Sequence, residues 1–168
     1  MLTTDQKGVV AEAAIALAAI ELGIGVSRPL APERYDLIFD IGGQLLRVQC
    51  KWASQDGDVI ALRCYSSRRT ADGLRKRVYG HDEVDAFAAY CAALDRCYFL
   101  PFACVPAGGT LQLRLGRPRN NQQVGVHWAS AYEFTARLER PQGAIAQLGE
   151  RLHGMQEVAG SSPAGSIA

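Results

Sequence analysis

No Cys-x-x-Cys pair occurs in this chain, and its five cysteines (Cys50, Cys64, Cys91, Cys97 and Cys104) are odd in number. That argues against a thiolate zinc site and against a disulfide framework; reduced thiols in a cytoplasmic protein are the expectation. Long apolar runs are missing too. The longest, Val9 to Leu22, is alanine-rich and interrupted by Glu12 and Glu21, a poor membrane span. Met1 to Lys7 offers no basic region followed by an apolar one, which argues against a secretory leader. Neither sign of charge is in excess: 18 basic and 17 acidic residues leave a net charge of +1, so bulk charge selects no partner. Lysine is scarce. Only Lys7, Lys51 and Lys76 are lysines, and the other 15 basic residues are arginines. Arginine suits bidentate phosphate recognition, although a GC-rich coding sequence gives the same bias. What is present is an ordinary globular composition. With 48% hydrophobic and 21% charged residues over 168 positions, disorder is excluded and one domain with a sizeable core is expected.

Thr4 to Gly23 reads as a helix, capped by Thr3 or Thr4 and ended by Gly23 or Gly25. Gly8, Glu12, Ile15, Ala16 and Ala19 share one face, so Glu12 projects from an apolar stripe. A carboxylate there needs a cation or a metal unless it lies at the stripe's edge and reaches water. A Pro-containing loop, Ser27 to Arg34, follows. Tyr35 to Ile41 and Gln44 to Ala53 alternate as strands around Gly42-Gly43, a hairpin turn signal. A third strand is expected over Asp58 to Tyr65. Asp82 to Tyr90 and Cys97 to Val105 read as a strand pair, or as a short helix and a strand. Leu111 to Leu115 reads as an edge strand and Ala129 to Leu138 as a helix. His81 and His127 have no second ligand at metal spacing and read as structural.

The turn fixes the hairpin register. If Gly42-Gly43 is the loop, Ile41 pairs with Gln44, and Asp36 then lies opposite Gln49. Side chains alternate along a strand, so Gln49 and Lys51 point the same way as Asp36, away from Leu37, Phe39, Leu46, Val48 and Trp52. Asp40 shares that polar face by parity and is a weaker candidate near the turn. Three polar groups on one face make either a structural Asp36–Lys51 salt bridge or a site.

Glu12 on a helix, Asp36 in Arg34-Tyr35-Asp36-Leu37, and Gln49-Cys50-Lys51 on the next strand form an ordered set that resembles the PD-(D/E)XK nuclease core. Tyr35 replaces the proline of the family's name, and Gln49 stands where most relatives carry an acid. The Gln-x-Lys wording resembles the homing endonucleases encoded in group I introns and their free-standing bacterial relatives. Asp85 to Tyr90, Cys97 to Pro101, Leu113 to Leu115, Asn120 to Gln122 and Trp128 to Tyr132 resemble that family's later segments, so the likeness covers roughly residues 7 to 138. The resemblance implies an α/β fold with a mixed central sheet flanked by helices. It implies a site-specific double-strand DNA endonuclease using Mg²⁺, with Mn²⁺ able to substitute. Glu12, Asp36, Gln49 and Lys51 would be catalytic, and Asp36, Gln49, the Cys50 backbone carbonyl and Glu12 would be the metal ligands. Such hard oxygen donors suit Mg²⁺. Losing one negative charge to Gln49 should weaken metal binding somewhat while leaving an oxygen to coordinate.

Between Arg63 and Arg77 lie six basic residues and one acid, a local excess of five positive charges that fits a polyanion partner or a solvated face. Ser66, Ser67, Arg68, Arg69, Arg75, Lys76 and Arg77 are the candidate DNA contacts. Asn120, Asn121 and Gln122 form an amide run that suits DNA or a polar turn. One small chain carries one active site, so cutting both strands implies a homodimer or homotetramer. A Holliday-junction resolvase, a restriction-type nuclease and a DNA-binding module that has lost catalysis are the other readings.

Residues 1–140 are read as the nuclease domain and 141–168 as a tail of different character. Gly143 to Ser166 resembles a bacterial alanine tRNA gene translated in frame. One allowed set of codons for these residues folds into an acceptor stem, an anticodon arm with anticodon GGC and a T arm. Either the gene lies at its own target, a tRNA-Ala gene, or the frame reads through by accident. In both cases the tail should pack little and hold no catalytic residue.

Overall fold

The computed structural model describes residues 1–116 and 125–138. The amide run Asn120, Asn121 and Gln122 and residues 139–168, which include the tail read over 141–168, lie outside the described residues.

Helix α1 spans Thr4–Glu21 and starts on a reciprocal cap. The Thr3 hydroxyl accepts the Gln6 N–H at 3.2 Å, and the Gln6 side-chain oxygen accepts the Thr3 N–H at 2.9 Å. The chain leaves the helix through Gly23 at φ +75°, a left-handed conformation that favours glycine. Ala11, Ile15 and Ala19 are fully buried, and the two alanines let the helix sit close to the sheet beneath.

The strands are β1 (Gly25–Ser27), β2 (Leu37–Ile41), β3 (Gln44–Trp52), β4 (Ser54–Asp56), β5 (Val59–Arg63), β6 (Tyr65–Thr70), β7 (Gly73–Val78), β8 (Ala86–Cys91), β9 (Arg96–Pro101), β10 (Thr110–Arg114) and β11 (His127–Trp128). Five of them form the central sheet in the order β1-β2-β3-β8-β9. β3 and β8 run parallel and the other neighbours antiparallel, so the sheet is mixed as expected. The β2–β3 hairpin has the register read from its turn: Ile41 opposes Gln44 and Leu37 opposes Val48. Gly42 and Gly43 both have positive φ, as a two-residue hairpin loop requires. β2 begins at Leu37 and not at Tyr35, leaving Asp36 just outside the ladder.

The two faces of this sheet are covered differently. Leu37, Phe39, Leu46, Val48, Ala86 and Ala88 pack against α1 and against Phe134 and Leu138 of the short helix α2 (Phe134–Leu138). Both helices therefore lie on one side. On the other side Phe87, Ala89, Tyr98 and Leu100 meet Ile60, Leu62, Leu111 and Leu113 from a second sheet of order β11-β10-β5-β4. Burial on both faces explains why β8, Ala-Phe-Ala-Ala-Tyr-Cys, reads as a continuous apolar run without alternation. No helix among the described residues is long and apolar enough to cross a membrane.

Two sequence expectations are corrected and one is met. The strand expected over Asp58 to Tyr65 is present as β5, in the second sheet. β10 is no edge strand, because β5 and β11 flank it and Leu111 and Leu113 are buried. Ala129 to Leu138 is not one helix. A 3-10 turn (Ala129–Ala131) and α2 are separated where Glu133 bridges to Tyr98 of β9.

Candidate active site

Asp36 sits at the mouth of the hairpin, where β2 has not yet begun. Its N–H donates to the Val48 carbonyl at 3.0 Å, which ties its backbone to β3. Its carboxylate oxygen Oδ2 accepts the Cys50 N–H at 2.7 Å and the Gln49 side-chain amide. The same Gln49 Nε2 donates to the Cys50 carbonyl at 3.3 Å. One atom thus lies within hydrogen-bond reach of both the Asp36 carboxylate and the Cys50 carbonyl. Gln49 is the one buried polar or charged residue among those described, at 8% exposure, and these contacts are what make its burial tolerable.

Glu12 approaches from α1. It is half-buried and pairs with Arg28, the residue after β1, at 3.2 Å. Burial raises the Glu12 pKa, and the negative charge of Asp36 raises it further against the opposing pull of Arg28. Asp36 is likewise raised, mainly by burial, despite the Cys50 N–H, Lys51 and Arg28, which favour its ionised form. Lys51 leaves β3 with the parity of Gln49 and donates from Nζ to the Tyr79 hydroxyl at 3.1 Å. The structure thus brings Asp36, Gln49 and Cys50 into direct contact, with Glu12 and Lys51 close enough to act on Asp36 electrostatically. It does not form an Asp36–Lys51 salt bridge among those it contains.

Asp40 is corrected. Its Oδ1 accepts the Gly43 N–H at 3.0 Å and the residue is exposed, so it caps the turn. Arg28 and Tyr79 were missed by sequence reasoning. Each reaches the site from a segment with no local signal, 16 residues after Glu12 and 28 after Lys51 in the chain.

The basic segment is a separate two-stranded ribbon, β6 with β7. Arg68 lies directly opposite Arg75, Ser67 opposite Lys76 and Ser66 opposite Arg77. Alternation puts Ser66, Arg68, Arg75 and Arg77 on one face and Ser67, Arg69 and Lys76 on the other. Like charges facing each other across a ladder destabilise it; a polyanion laid on the ribbon would relieve that. Lys76 is exposed and lies over the Tyr65 ring, donating to the Gly108 carbonyl at 2.5 Å.

The sequence profile of the PD-(D/E)XK endonucleases matches residues 2–135. The chain belongs to that family. This makes it a nuclease domain whose substrate class is DNA. The endonuclease is also similar to the solved structure of a bacterial homing endonuclease, I-Ssp6803I, with a TM-score of 0.64 and 22% identity over 94% of this chain and all of that one. At that identity the likeness speaks to the fold. No curated protein matches at the sequence level.

Members of this family generally use divalent metals, and the donor set here suits a hard cation. Among the described residues no cluster of three or more His, Cys, Asp and Glu side chains exists. The Asp36 carboxylate and Cys50 carbonyl converge on one point, now taken by an amide N–H, and turning that amide over would present Oε1 instead. Two half-buried carboxylates with raised pKa values are groups that a cation would hold ionised.

Two predictions arise here. Because folding raises the pKa values of Asp36 and Glu12, their contribution to metal-free stability is greatest below the ordinary carboxylate range. It is lost as pH rises through the raised values. A cation binds the ionised forms and acts in the opposite sense. Mg²⁺ is therefore expected to raise the melting temperature at pH 8, by the equivalent of about 2.7 kcal/mol at a hundredfold excess over Kd, and to raise it little at pH 4. Scanning calorimetry with Mg²⁺ and with EDTA at both pH values checks this. Gln49→Glu removes a donor from Asp36 Oδ2 and sets a like charge beside it. The metal-free variant should lose about 1–3 kcal/mol at pH 8 in urea titration. Its stabilisation by Mg²⁺ should exceed that of the unsubstituted protein.

Proposed function

We propose that this chain is a Mg²⁺-dependent, site-specific endonuclease of the homing type that hydrolyses phosphodiester bonds in double-stranded DNA. One observation carries the reading: an aspartate, a glutamine amide and a main-chain carbonyl meet at one point beside a second carboxylate, with a lysine on the same strand. Asp36, Gln49, the Cys50 carbonyl and Glu12 would hold the ion. When bound, Mg²⁺ neutralises charge on the scissile phosphate and acidifies water. Lys51 would orient the attacking water, take its proton or donate to the phosphoryl oxygens as their charge grows. Gln49 keeps an oxygen in the set while lowering its charge.

The DNA would lie along the ribbon, with Ser66, Arg68, Arg75 and Arg77 on the face shared with Arg34, and Ser67, Arg69 and Lys76 on the other. Phosphate contacts fix register, and arginine is suited to guanine edges. Asn120, Asn121 and Gln122 are further proposed contacts. Two copies at least would be needed to cut both strands. The similarity to a homing endonuclease and the tRNA-like tail together support an alanine tRNA gene as the target.

The test is cleavage of a plasmid carrying a tRNA-Ala gene, with the ends mapped. Mg²⁺-dependent cutting at one site within that gene is expected. Cutting elsewhere would remove the target assignment, preference for a four-way junction would favour a resolvase, and binding without cutting would leave a DNA-binding module.

A further inference from the structure

Lysine ends four rotatable bonds, and a catalytic ammonium must be held. Among the described residues Lys51 is held by one group, the Tyr79 hydroxyl at 3.1 Å, with its Nζ 4.9 Å from the centre of the same ring. Tyr79 itself cannot swing. It is 8% exposed, packs edge-on against Phe87 with centroids 5.4 Å apart, and carries the Arg34 guanidinium 4.0 Å from its ring centre. Arg34 is fixed in turn. It donates to both Glu83 oxygens at 3.1 and 3.4 Å, to the Ser66 hydroxyl at 3.1 Å and to the Val78 carbonyl at 3.4 Å. Glu83 accepts the Gly80 N–H at 3.1 Å and pairs with Arg77 at 2.5 Å. Tyr79 directly follows the last residue of β7, so the clamp stands at the root of the basic ribbon.

We infer that Tyr79 is the positioning residue for Lys51. A buried phenol braced by Phe87, Arg34 and Glu83 takes up one ammonium N–H and aims the other two at the reacting phosphate. The ribbon and the lysine are then referenced to one rigid post, and DNA seated on Arg68 and Arg75 meets the ammonium at a fixed offset. This rests on the proposal that Lys51 acts on the phosphate.

Tyr79→Phe isolates the claim, because it keeps the ring, its contact with Phe87 and the Arg34 stack and removes only the acceptor. Single-turnover cleavage of prebound DNA should slow by about 10- to 100-fold, the worth of one hydrogen bond to a charged group. DNA affinity in EDTA and melting temperature should stay at the unsubstituted values. A cleavage rate equal to that of the unsubstituted protein overturns the inference. A slower rate with a matching loss of affinity or melting temperature also overturns it, since that is a structural role. Failure of the underlying reading is seen separately, as full cutting by Lys51→Ala.

Discussion

Asp36→Ala should abolish cleavage, lowering the single-turnover rate by at least about 10³-fold, in line with the loss of a group on which transition-state charge stabilisation depends. The reason is the number of things this carboxylate touches. It anchors the Gln49 amide and the Cys50 N–H, and it is the half of the carboxylate pair nearest the hairpin. Alanine also leaves the Cys50 N–H without an acceptor and the Gln49 amide with the Cys50 carbonyl alone, which costs about 1–3 kcal/mol for a buried group. Relief of the repulsion with Glu12 offsets part of that. A fall in activity alone would therefore confuse misfolding with chemistry. Asp36→Asn separates them. Its side-chain oxygen still accepts the Cys50 N–H, so urea titration should give near-normal stability while cutting stays abolished. The thermal gain from Mg²⁺ at pH 8 should vanish in both variants. Cutting retained by both would remove Asp36 from the site.

The readable part of this molecule is local. A glycine pair with positive φ sets a two-residue turn, and the turn alone gives the hairpin register from Ile41–Gln44 to Leu37–Val48, which carries Asp36 to the side chain of Gln49. Thr3 or Thr4 before an alanine- and leucine-rich run announces the start of α1, and the structure shows Thr3 to be the cap. What could not be read is non-local or unpatterned. β4, Ser-Gln-Asp, is wholly exposed and polar, and it exists because β5 pairs with it. The second sheet joins segments about fifty residues apart through β5 and β10. The basic segment fits a solvated loop or helix face as well as a ribbon until Thr70 is paired with Gly73. Asp40 was misplaced because parity tells which face a side chain takes and not whether a turn N–H will claim it. Family resemblance named Glu12 as a partner of the hairpin acids, but it could not supply Arg28, whose only link to the site is spatial.

Lys51→Ala is the companion experiment, and its expected signature differs from that of Asp36→Ala. General acid–base assistance is worth about 10²–10⁴-fold, so cleavage should fall by that range. The ribbon is untouched, so DNA affinity in EDTA should hold. Lys51→Arg should not restore the rate. A planar guanidinium cannot reproduce a compact ammonium pinned to the Tyr79 hydroxyl. A further consequence separates this variant from a mere loss of packing. The Lys51 charge helps to hold the half-buried Asp36 in its ionised form. Without it the Asp36 pKa rises further, and the stabilisation by Mg²⁺ should need a higher pH to appear. Calorimetric melts across pH 5 to 9 should show that displacement in Lys51→Ala and none in Tyr79→Phe, where the cation remains. A pH dependence identical in all three proteins would mean that Lys51 does not sense the carboxylates and belongs to the Tyr79 cluster alone.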